Sequence, residues 1–320
     1  MQSLRLQPAE RPTMYFVGVT TAKSMIMRVF PKWARYLELG NCEIKGIDLA
    51  QHDEPERYRG VVSFIKDDPL SLGALVTTHK IDLLRASRDL FDELDHFASL
   101  MGEVSSISKS NSRLFGGAKD PITSGLALAD FLPAQHWATT GAHAFIMGAG
   151  GSSIALCSSI SRTQHGGNRP ARIVISNRSP GRLAEMKEIN RKQDIDLPVE
   201  YVLSPQPQNN DAVMRTLPPG SLVVNATGLG KDAIGSPVSE AAAFPERGFA
   251  WDFNYRGDLL FLEQARRQAA VLNLHVEDGW LYFIYGWLAV IAEVFHRDIP
   301  VRGDTFAELR AIAEGERDRG

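Results

Sequence analysis

The feature that most constrains the fold of this chain is a glycine-rich turn near its middle. An apolar run, 143–147, leads directly into Gly148-Ala-Gly-Gly-Ser152, and a helical segment follows. A turn of this kind places backbone N–H groups and the positive end of the helix dipole around the pyrophosphate of a dinucleotide. Glycines in a turn can also serve helix packing alone. The position of this turn between a strand and a helix favours a dinucleotide site, whose expected contacts are Gly148, Ala149, Gly150, Gly151 and Ser152.

The end of the next strand indicates which dinucleotide is bound. The strand predicted over 171–176 ends in Asn177-Arg178-Ser179, and Arg182 follows. A carboxylate at this place reads the ribose hydroxyl of NAD, whereas arginines accommodate the 2′-phosphate of NADP. Two arginines at the start of a helix can also be solvated surface residues. We predict NADP as the cofactor, with further contacts from Asn225, Ala226 and Thr227 at the end of a later strand.

Short apolar segments at helix-length spacing follow the turn and predict a doubly wound parallel sheet. Its strands are predicted at 143–148, 171–176, 199–203, 221–225, 248–253 and 271–275. Before the turn, the patterns predict strands at 14–19, 43–49, 73–78, 105–108 and 113–115, and helices at 24–39 and 81–97.

The predicted fold class is α/β with two domains, which a chain of 320 residues is long enough to form. An N-terminal α/β substrate domain is expected over residues 1–135, completed by a C-terminal tail from about 279 to 320. Residues 136–278 are expected to form a Rossmann-type doubly wound parallel sheet that binds NADP. The helices of the tail are expected to pack back on the first domain, with the ligand crevice outside the carboxyl ends of the strands.

Composition and charge exclude several other classes of protein. The net charge of −3 gives no bulk attraction to nucleic acid or to an anionic membrane. No apolar run approaches the ~20 residues of a membrane helix, and the N-terminus lacks the apolar core of a secretory signal. Cys42 and Cys157 have no metal-type spacing, so we predict no metal site and a reducing, cytoplasmic location. The partner is expected to be a small molecule, and an open sheet edge in the first domain is consistent with a homodimer.

Two residues, Lys80 and Asp120, have side chains that suit proton transfer. Hydride transfer to a ketone requires a proton for the developing alkoxide, and a lysine beside a carboxylate can supply it. Lys80 lies just after the strand predicted at 73–78, and Asp120 lies in a loop before Pro121. Taken singly, a lysine after a strand is more often a surface residue, and Asp-Pro is common in turns and helix starts. The residue types alone therefore assign no role to either.

The order of these segments, from about Met14 to Phe295, resembles the shikimate and quinate dehydrogenase family. The segments that carry the resemblance are Gly73-Ala-Leu-Val-Thr77 with Lys80, Gly102-Glu-Val-Ser-Ser106, Gly116-Gly-Ala-Lys-Asp120, the Gly148 turn, Asn177-Arg178-Ser179 and Asn225-Ala-Thr227. The resemblance implies that Lys80 is the catalytic lysine and Asp120 its partner. It also implies that the NADP phosphate is held by Asn177, Arg178, Ser179 and Arg182. Asp252 and Tyr255 resemble the family's late aspartate and tyrosine, and we expect them to contact the cofactor and the substrate respectively.

The chain departs from the family pattern where the substrate would bind. In the motif whose two serines hold the shikimate carboxylate, Ser24 is kept and Ile26 replaces the second serine. Leu75 and Ser105 replace two asparagines, and Tyr285 replaces a glutamine. The segment that ends in the lysine is one residue shorter and lacks its proline, and Ala118 and Lys119 replace the asparagine and threonine before the aspartate. Replacement charges are available from Lys23, Arg28 and Lys119.

Each polar group lost from a charged partner costs ~1.5–3 kcal/mol of binding, so the resemblance implies a retained reaction and a changed substrate. The expected substrate contacts are Ser24, Thr77, Ser105, Tyr255 and Tyr285. We predict an NADP-dependent oxidoreductase that transfers a hydride between the nicotinamide and a secondary alcohol or ketone of a small polyhydroxylated cyclic compound. The alternatives are a true shikimate or quinate dehydrogenase, a folate-type or amino-acid-type dehydrogenase with the same two-domain plan, and a non-catalytic NADP-binding regulator. The presence of both Lys80 and Asp120 argues against the regulator.

Overall fold

Two six-stranded sheets, each covered by helices, make up the computed structural model, which describes residues 6–231 and 233–318. The strands are β1 (Thr13–Gly18), β2 (Glu43–Asp48), β3 (Ser71–Val76), β4 (Glu93–Leu94), β5 (Ser106–Ser110), β6 (Arg113–Gly117), β7 (Ala144–Met147), β8 (Ile173–Asn177), β9 (Val199–Leu203), β10 (Leu222–Asn225), β11 (Phe249–Asp252) and β12 (His275–Glu277). The helices are α1 (Ile26–Tyr36), α2 (Pro55–Asp67), α3 (Lys80–Ser87), α4 (His96–Met101), α5 (Asp120–Phe131), α6 (His136–Thr140), α7 (Gly151–Ile160), α8 (Pro180–Lys192), α9 (Pro207–Met214), α10 (Leu260–Leu272), α11 (Trp280–Val294) and α12 (Asp304–Arg317).

The chain forms two compact units. The first unit comprises the described residues up to Lys119 and from Ile284 onward, and the second unit comprises those from Asp120 to Phe283. The predicted domain boundaries lie at 135/136 and about 278/279. Helix α5 belongs to the second unit because it packs on α7 so closely that a Cβ at Gly125 would overlap Ser159 Oγ. The functional assignment of the two domains stays a prediction.

The second unit has the predicted Rossmann-type sheet. Its strand order is β12-β11-β10-β7-β8-β9, and every neighbouring pair is parallel. The order reverses between β7 and β10, which is the switch point where doubly wound sheets leave a crevice for ligands. The glycine turn follows β7 and therefore lies at this point. The predicted fold class is confirmed.

The first unit holds a mixed sheet with the order β2-β1-β3-β5-β6-β4, in which β5 is antiparallel to both of its neighbours. One face is covered by α2 and α3, whose Tyr58 and Leu83 pack with Val76 of β3. The ring of Trp287 in α11 packs edge-on against the ring of Phe16 in β1, and the two ring centroids are 5.0 Å apart. Helix α12 lies on α1. The C-terminal helices therefore pack on the first unit, as predicted.

Two predicted elements differ from the structure, and one helix was not predicted. The helix predicted over 81–97 is wrong, since α3 ends at Ser87 and the chain then adds β4 to the edge of the sheet beside β6 before α4 begins. Helix α2 was not predicted, although Tyr58, Val61, Val62 and Ile65 have helical spacing and are buried. The strand predicted over 271–275 begins only at His275, because α10 continues to Leu272.

Among the described residues, no helix is both long enough and apolar enough to cross a membrane.

We predict that Gly73→Ala lowers the free energy of unfolding of the protein by about 2–4 kcal/mol. Gly73 has φ +137°, and a Cβ there would overlap the carbonyl oxygen of Ile107 on the neighbouring strand. Gly60, in the exposed middle of α2, is the matched control because a Cβ meets nothing within 4 Å. Gly60→Ala should raise stability by about 0.5–1 kcal/mol. Urea unfolding measures both, and equal effects of the two substitutions would contradict the close approach of β3 to β5.

Candidate active site

The glycine turn has the geometry that a pyrophosphate requires. Gly148 has φ +116°, and a Cβ there would lie 2.5 Å from the carbonyl oxygen of Ala226, in the loop after β10. Glycine at this position therefore lets the end of β7 approach that loop. Gly150 is the N-cap residue of α7, and a Cβ there would meet nothing within 4 Å. The N-terminus of α7, with Gly151 and Ser152 in its first turn, is open to a ligand.

Two buried hydroxyl groups beside the turn lack partners. Ser153 Oγ and Ser176 Oγ have no hydrogen-bond partner among the described residues, and both side chains are buried. Ser153 Oγ lies 3.1 Å from the position of a Cβ on Gly148. Buried hydroxyls are normally paired, so unpaired ones suit a place that receives a polar ligand. The turn thus fits the pyrophosphate of a dinucleotide on its shape and on its unused polar atoms.

The end of β8 presents one cation whose charge is not compensated. Arg178 is exposed and makes no hydrogen bond or ion pair with any residue that the structure describes. Arg182 Nη1 instead binds Glu185 Oε2 at 2.7 Å. Ser179 caps α8 by accepting from Arg182 N, and Asn177 Oδ1 accepts from Ser179 N at 3.3 Å. Of the four residues predicted to hold a 2′-phosphate, Arg178 is the one with a free positive charge.

A buried polar network joins the ends of β10 and β11. Asn225 and Asp252 are register partners, and Asn225 Nδ2 donates to Asp252 Oδ2 at 3.0 Å. The backbone N–H of Asn254 donates to Asp252 Oδ1 at 2.8 Å. Thr227 Oγ1 donates to Asn225 Oδ1 at 2.7 Å, and the amides of Asn225 and Asn254 both donate to the carbonyl of Leu229. The network holds the loop 226–229 that faces the glycine turn.

Burial raises the pKa of Asp252 to about 7, and the hydrogen bonds from Asn254 and Asn225 only partly oppose it. The carboxyl group has no exposed surface, since the residue is 0% accessible. Both of its oxygens are already hydrogen bonded within the second unit. Asp252 therefore lies within this loop network, and its predicted contact with the cofactor stays a prediction.

In the first unit, several predicted residues lie at the carboxyl ends of β1 and β3. Lys80 is the first residue of α3 and is half-buried, and Val104 N donates to its carbonyl oxygen at 3.2 Å. Thr77 follows β3 and its Oγ1 donates to Val17 O at 3.2 Å. Ser24 follows the short 3-10 turn after β1 and is buried. Parallel neighbours such as β1 and β3 end at the same edge, which groups these residues.

Contacts of Ser105 and Lys119 hold the segment before Asp120 in place. Ser105 Oγ accepts from Lys119 N at 2.8 Å, so this hydroxyl is committed to the backbone. Lys119 Nζ lies 3.0 Å from Glu293 Oε2 and 3.4 Å from Asp95 Oδ2. Arg28, the second replacement cation proposed from the sequence, similarly binds the carbonyl oxygen of Glu316 at 2.8 Å and faces its carboxylate at 3.6 Å. Both cations are therefore engaged within the first unit.

Asp120 is buried and is the first residue of α5, which packs on α7. It therefore belongs to the same unit as the glycine turn, whereas Lys80 belongs to the other. The pairing of Lys80 with Asp120 stays a prediction.

The two predicted tyrosines lie in aromatic clusters. Tyr255 is half-buried, and its ring centroid lies 4.7 Å from that of Phe283. Tyr285 is buried and stacks on Phe306 of α12 at 4.7 Å. Ile26 and Leu75, which replace polar residues of the family pattern, are buried apolar side chains.

Sequence reasoning assigned no role to His79 or Asn254. Asn254 lies two residues after the predicted strand-end aspartate, and His79 lies directly before Lys80. A polar side chain next to a predicted site residue at a strand end was the available signal. Among the described residues, no group of three or more His, Cys, Asp or Glu side chains could hold a metal ion.

No protein-family model matches the chain, but individual known proteins do. It is 23% identical to a shikimate dehydrogenase (NADP(+)) of Lactococcus lactis subsp. cremoris (strain MG1363). The aligned segment of 226 residues covers 70% of this chain and 74% of that protein. A shikimate dehydrogenase structure from Aquifex aeolicus matches with TM-score 0.71 and 17% identity, over 98% of this chain and 99% of that one. A quinate dehydrogenase structure from Corynebacterium glutamicum, in complex with NAD, matches with TM-score 0.73 and 16% identity, over 95% and 99%. These matches confirm the predicted resemblance, and the chain is shikimate dehydrogenase-like in sequence and in fold.

Proposed function

We propose that this protein is an NADP-dependent oxidoreductase that acts on a secondary alcohol or ketone of a small polyhydroxylated cyclic compound. The observation that carries the proposal is the glycine turn at the switch point of the second sheet, with its open helix N-terminus and unpaired buried hydroxyls. The likeness to a curated shikimate dehydrogenase (NADP(+)) supports the reaction class.

Arg178 supports NADP over NAD. One structural relative was solved with NAD, so the fold alone does not decide the cofactor. An exposed guanidinium without a carboxylate partner suits a phosphate, and β8 ends in no carboxylate that would repel one. The N–H groups at the start of α7 would hold the pyrophosphate, and the loop 225–227 would lie against the nicotinamide ribose. When bound, NADPH supplies the hydride, and NADP accepts it in the reverse direction.

In this proposal, Lys80 handles the proton. In the reducing direction, its ammonium group donates a proton to the oxygen that gains charge as the ketone is reduced. Asp120 would orient Lys80 and accept a hydrogen bond from a neighbouring substrate hydroxyl. Ser24 and Thr77, at the same sheet edge as Lys80, are the proposed contacts to the substrate ring. Ser105 would act on Asp120 through the backbone of Lys119 rather than on the substrate.

The substrate is proposed to differ from shikimate. Ile26 and Leu75 are apolar, and two of the three candidate replacement cations, Arg28 and Lys119, are engaged with carboxylates of their own unit. Tyr255 and Tyr285 each carry a hydroxyl group that could bind a substrate, but both rings are packed in aromatic clusters. A true shikimate or quinate dehydrogenase remains the alternative, which the names of the relatives favour. A homodimer and a cytoplasmic location stay predictions.

Asp252 is proposed to position the loop 226–229 rather than to touch the cofactor. Its two oxygens bind Asn225 and Asn254, and the amides of those residues hold the carbonyl of Leu229. Burial disfavours the charged carboxylate of Asp252 relative to the neutral carboxyl, and this raises its pKa.

Lys80→Ala should lower kcat by about 10²–10⁴-fold, because the proton donor is removed, and should leave the Kd for NADP unchanged. Initial rates of NADPH oxidation against shikimate-type and other hydroxylated cyclic ketones measure the first effect, and calorimetry measures the second. Lys45→Ala, on the edge strand β2, is the matched control and should keep full activity. Full activity of Lys80→Ala would rule out the assigned role. NADP binding with no turnover on the whole panel would favour the non-catalytic regulator.

Arg178→Ala should weaken NADP binding about 10–100-fold and leave NAD binding unchanged, because only NADP carries the 2′-phosphate. Arg182→Ala should have a smaller effect, since Glu185 already pairs with Arg182. Arg191→Ala, in the last turn of the same helix, is the control and should alter neither affinity. Titration of each of the three variants with both dinucleotides gives six dissociation constants, which are compared with those of the parent protein. An equal loss for NAD and NADP in Arg178→Ala would show that this arginine does not recognise the phosphate.

Asp252 should make the protein less stable as the pH rises from about 4 to about 7. The folded protein holds a proton on Asp252 up to about pH 7, whereas the unfolded chain loses it near pH 4, so folding binds a proton within this window. Denaturant unfolding at several pH values should give a free-energy difference between the parent protein and Asp252→Asn that changes by a few kcal/mol across the window. Asn225→Ala breaks the same network without removing a titrating group and serves as the control. A difference between parent and Asp252→Asn that does not vary with pH would contradict the raised pKa.

A further inference from the structure

The residue directly before Lys80 is a histidine that the proposed mechanism does not use. His79 is 1% exposed and lies at the N-cap position of α3. Its Nδ1 shares a hydrogen bond with the hydroxyl of Tyr58 in α2, at 3.1 Å. The ring also interacts with the backbone of Gly18 and of Leu49. A buried imidazole is held in place by its hydrogen-bond partners, and the side-chain partner of His79 is Tyr58.

The Tyr58 hydroxyl is itself held by the loop between β2 and α2. It accepts a hydrogen bond from Asp53 N at 3.1 Å and lies 3.3 Å from Ala50 O, to which it can donate. The ring is buried in the core of the first unit. The contact with His79 therefore ties the turn between β3 and α3 to that loop, through two side chains that solvent does not reach.

Backbone hydrogen bonds hold the chain on either side of this turn. Thr77 N donates to Val17 O at 3.0 Å, and Val104 N donates to Lys80 O at 3.2 Å. Leu83 N donates to His79 O at 2.8 Å, which is the first hydrogen bond of α3. Thr77 Oγ1 and the imidazole of His79 add side-chain contacts to this turn, and His79 is the one directly next to Lys80.

Burial lowers the pKa of His79. The ring is therefore neutral near pH 7 and adds no positive charge beside the Lys80 ammonium group. A cation at the same place would disfavour the protonated form of Lys80. The pair of His79 and Tyr58 thus supplies a buried, uncharged support.

We propose that His79, through its hydrogen bond with Tyr58, is a positioning residue that sets the place of the Lys80 amine. The proposal rests on the proposed function, in which Lys80 handles the proton. Small displacements of a catalytic group lower the rate of the chemical step far more than they change binding. The support should therefore act on kcat and on the environment of Lys80, and not on the affinity for NADP.

Four substitutions separate this role from a purely structural one. Tyr58→Phe removes only the hydroxyl, and His79→Leu removes the imidazole. His79→Asn keeps an amide near the position of Nδ1. Tyr201→Phe is the matched control, because it removes another tyrosine hydroxyl that takes part in a hydrogen bond, with Asn190 Nδ2 at 2.9 Å in the second unit.

Two measurements are made on each folded variant, well below its unfolding temperature. Reductive methylation with ¹³C-formaldehyde, followed by NMR titration, reports the environment and titration midpoint of Lys80, whose signal is assigned by its absence in Lys80→Arg. Initial rates on the best cyclic substrate of the panel give kcat and KM separately. The NMR measurement needs no substrate, so it tests the support even if the proposed function fails.

We expect Tyr58→Phe and His79→Leu to shift the Lys80 signal and to lower kcat about tenfold to a hundredfold, with KM and the Kd for NADP unchanged. His79→Asn should recover most of the rate, and Tyr201→Phe should lower stability without moving kcat or the Lys80 signal. An unchanged Lys80 signal in Tyr58→Phe and His79→Leu would overturn the proposal. A shifted signal together with full activity of Lys80→Ala would instead overturn the proposed function and keep the support.

Discussion

The approach of β7 to the loop after β10 is the constraint on which the candidate nucleotide site depends. Gly148 permits it, because any side chain there would meet the carbonyl group of Ala226. The parallel register of the two strands brings Asn225 beside Met147 at the same sheet edge. The N-terminus of α7, the loop 226–229 and the network around Asp252 all take their positions from this one junction. A glycine-rich turn without the neighbouring strand would leave the helix N-terminus open but would place nothing beside it.

Charge compensation explains which cations remain available to a ligand. Arg28, Lys119 and Arg182 each have a carboxylate partner within 4 Å, and a paired cation gives up part of that interaction when it binds an anion. Arg178 has no partner among the described residues. The same residue type at neighbouring positions therefore has different capacities, and only three-dimensional structure distinguishes Arg178 from Arg182.

Periodicity and turn chemistry predicted most of the fold, because these signals are local. The alternation of apolar strands and helices from 143 onward gave the doubly wound sheet, and the order of the segments gave the family resemblance. The break after Ser87 could not be predicted, because β4 pairs with β6, about twenty residues later in the chain. The same limit applies to the candidate site. The commitment of Ser105 to the backbone of Lys119, the burial of Asp252 and the contact of His79 with Tyr58 all depend on residues distant in sequence.

The two units match the shikimate and quinate dehydrogenase pattern to different extents, and each unit has its own hydrophobic core. Substitutions that share no packing partners have nearly additive effects, so changes at Ile26 and Leu75 in the core of the first unit need not disturb the core that supports the glycine turn in the second. The second unit keeps the turn, the cation at the end of β8 and the polar loop after β10. The first unit keeps Lys80 but changes the polar residues around the proposed substrate position. A chain under these constraints can retain one cofactor and one reaction while the compound that it reduces or oxidises changes.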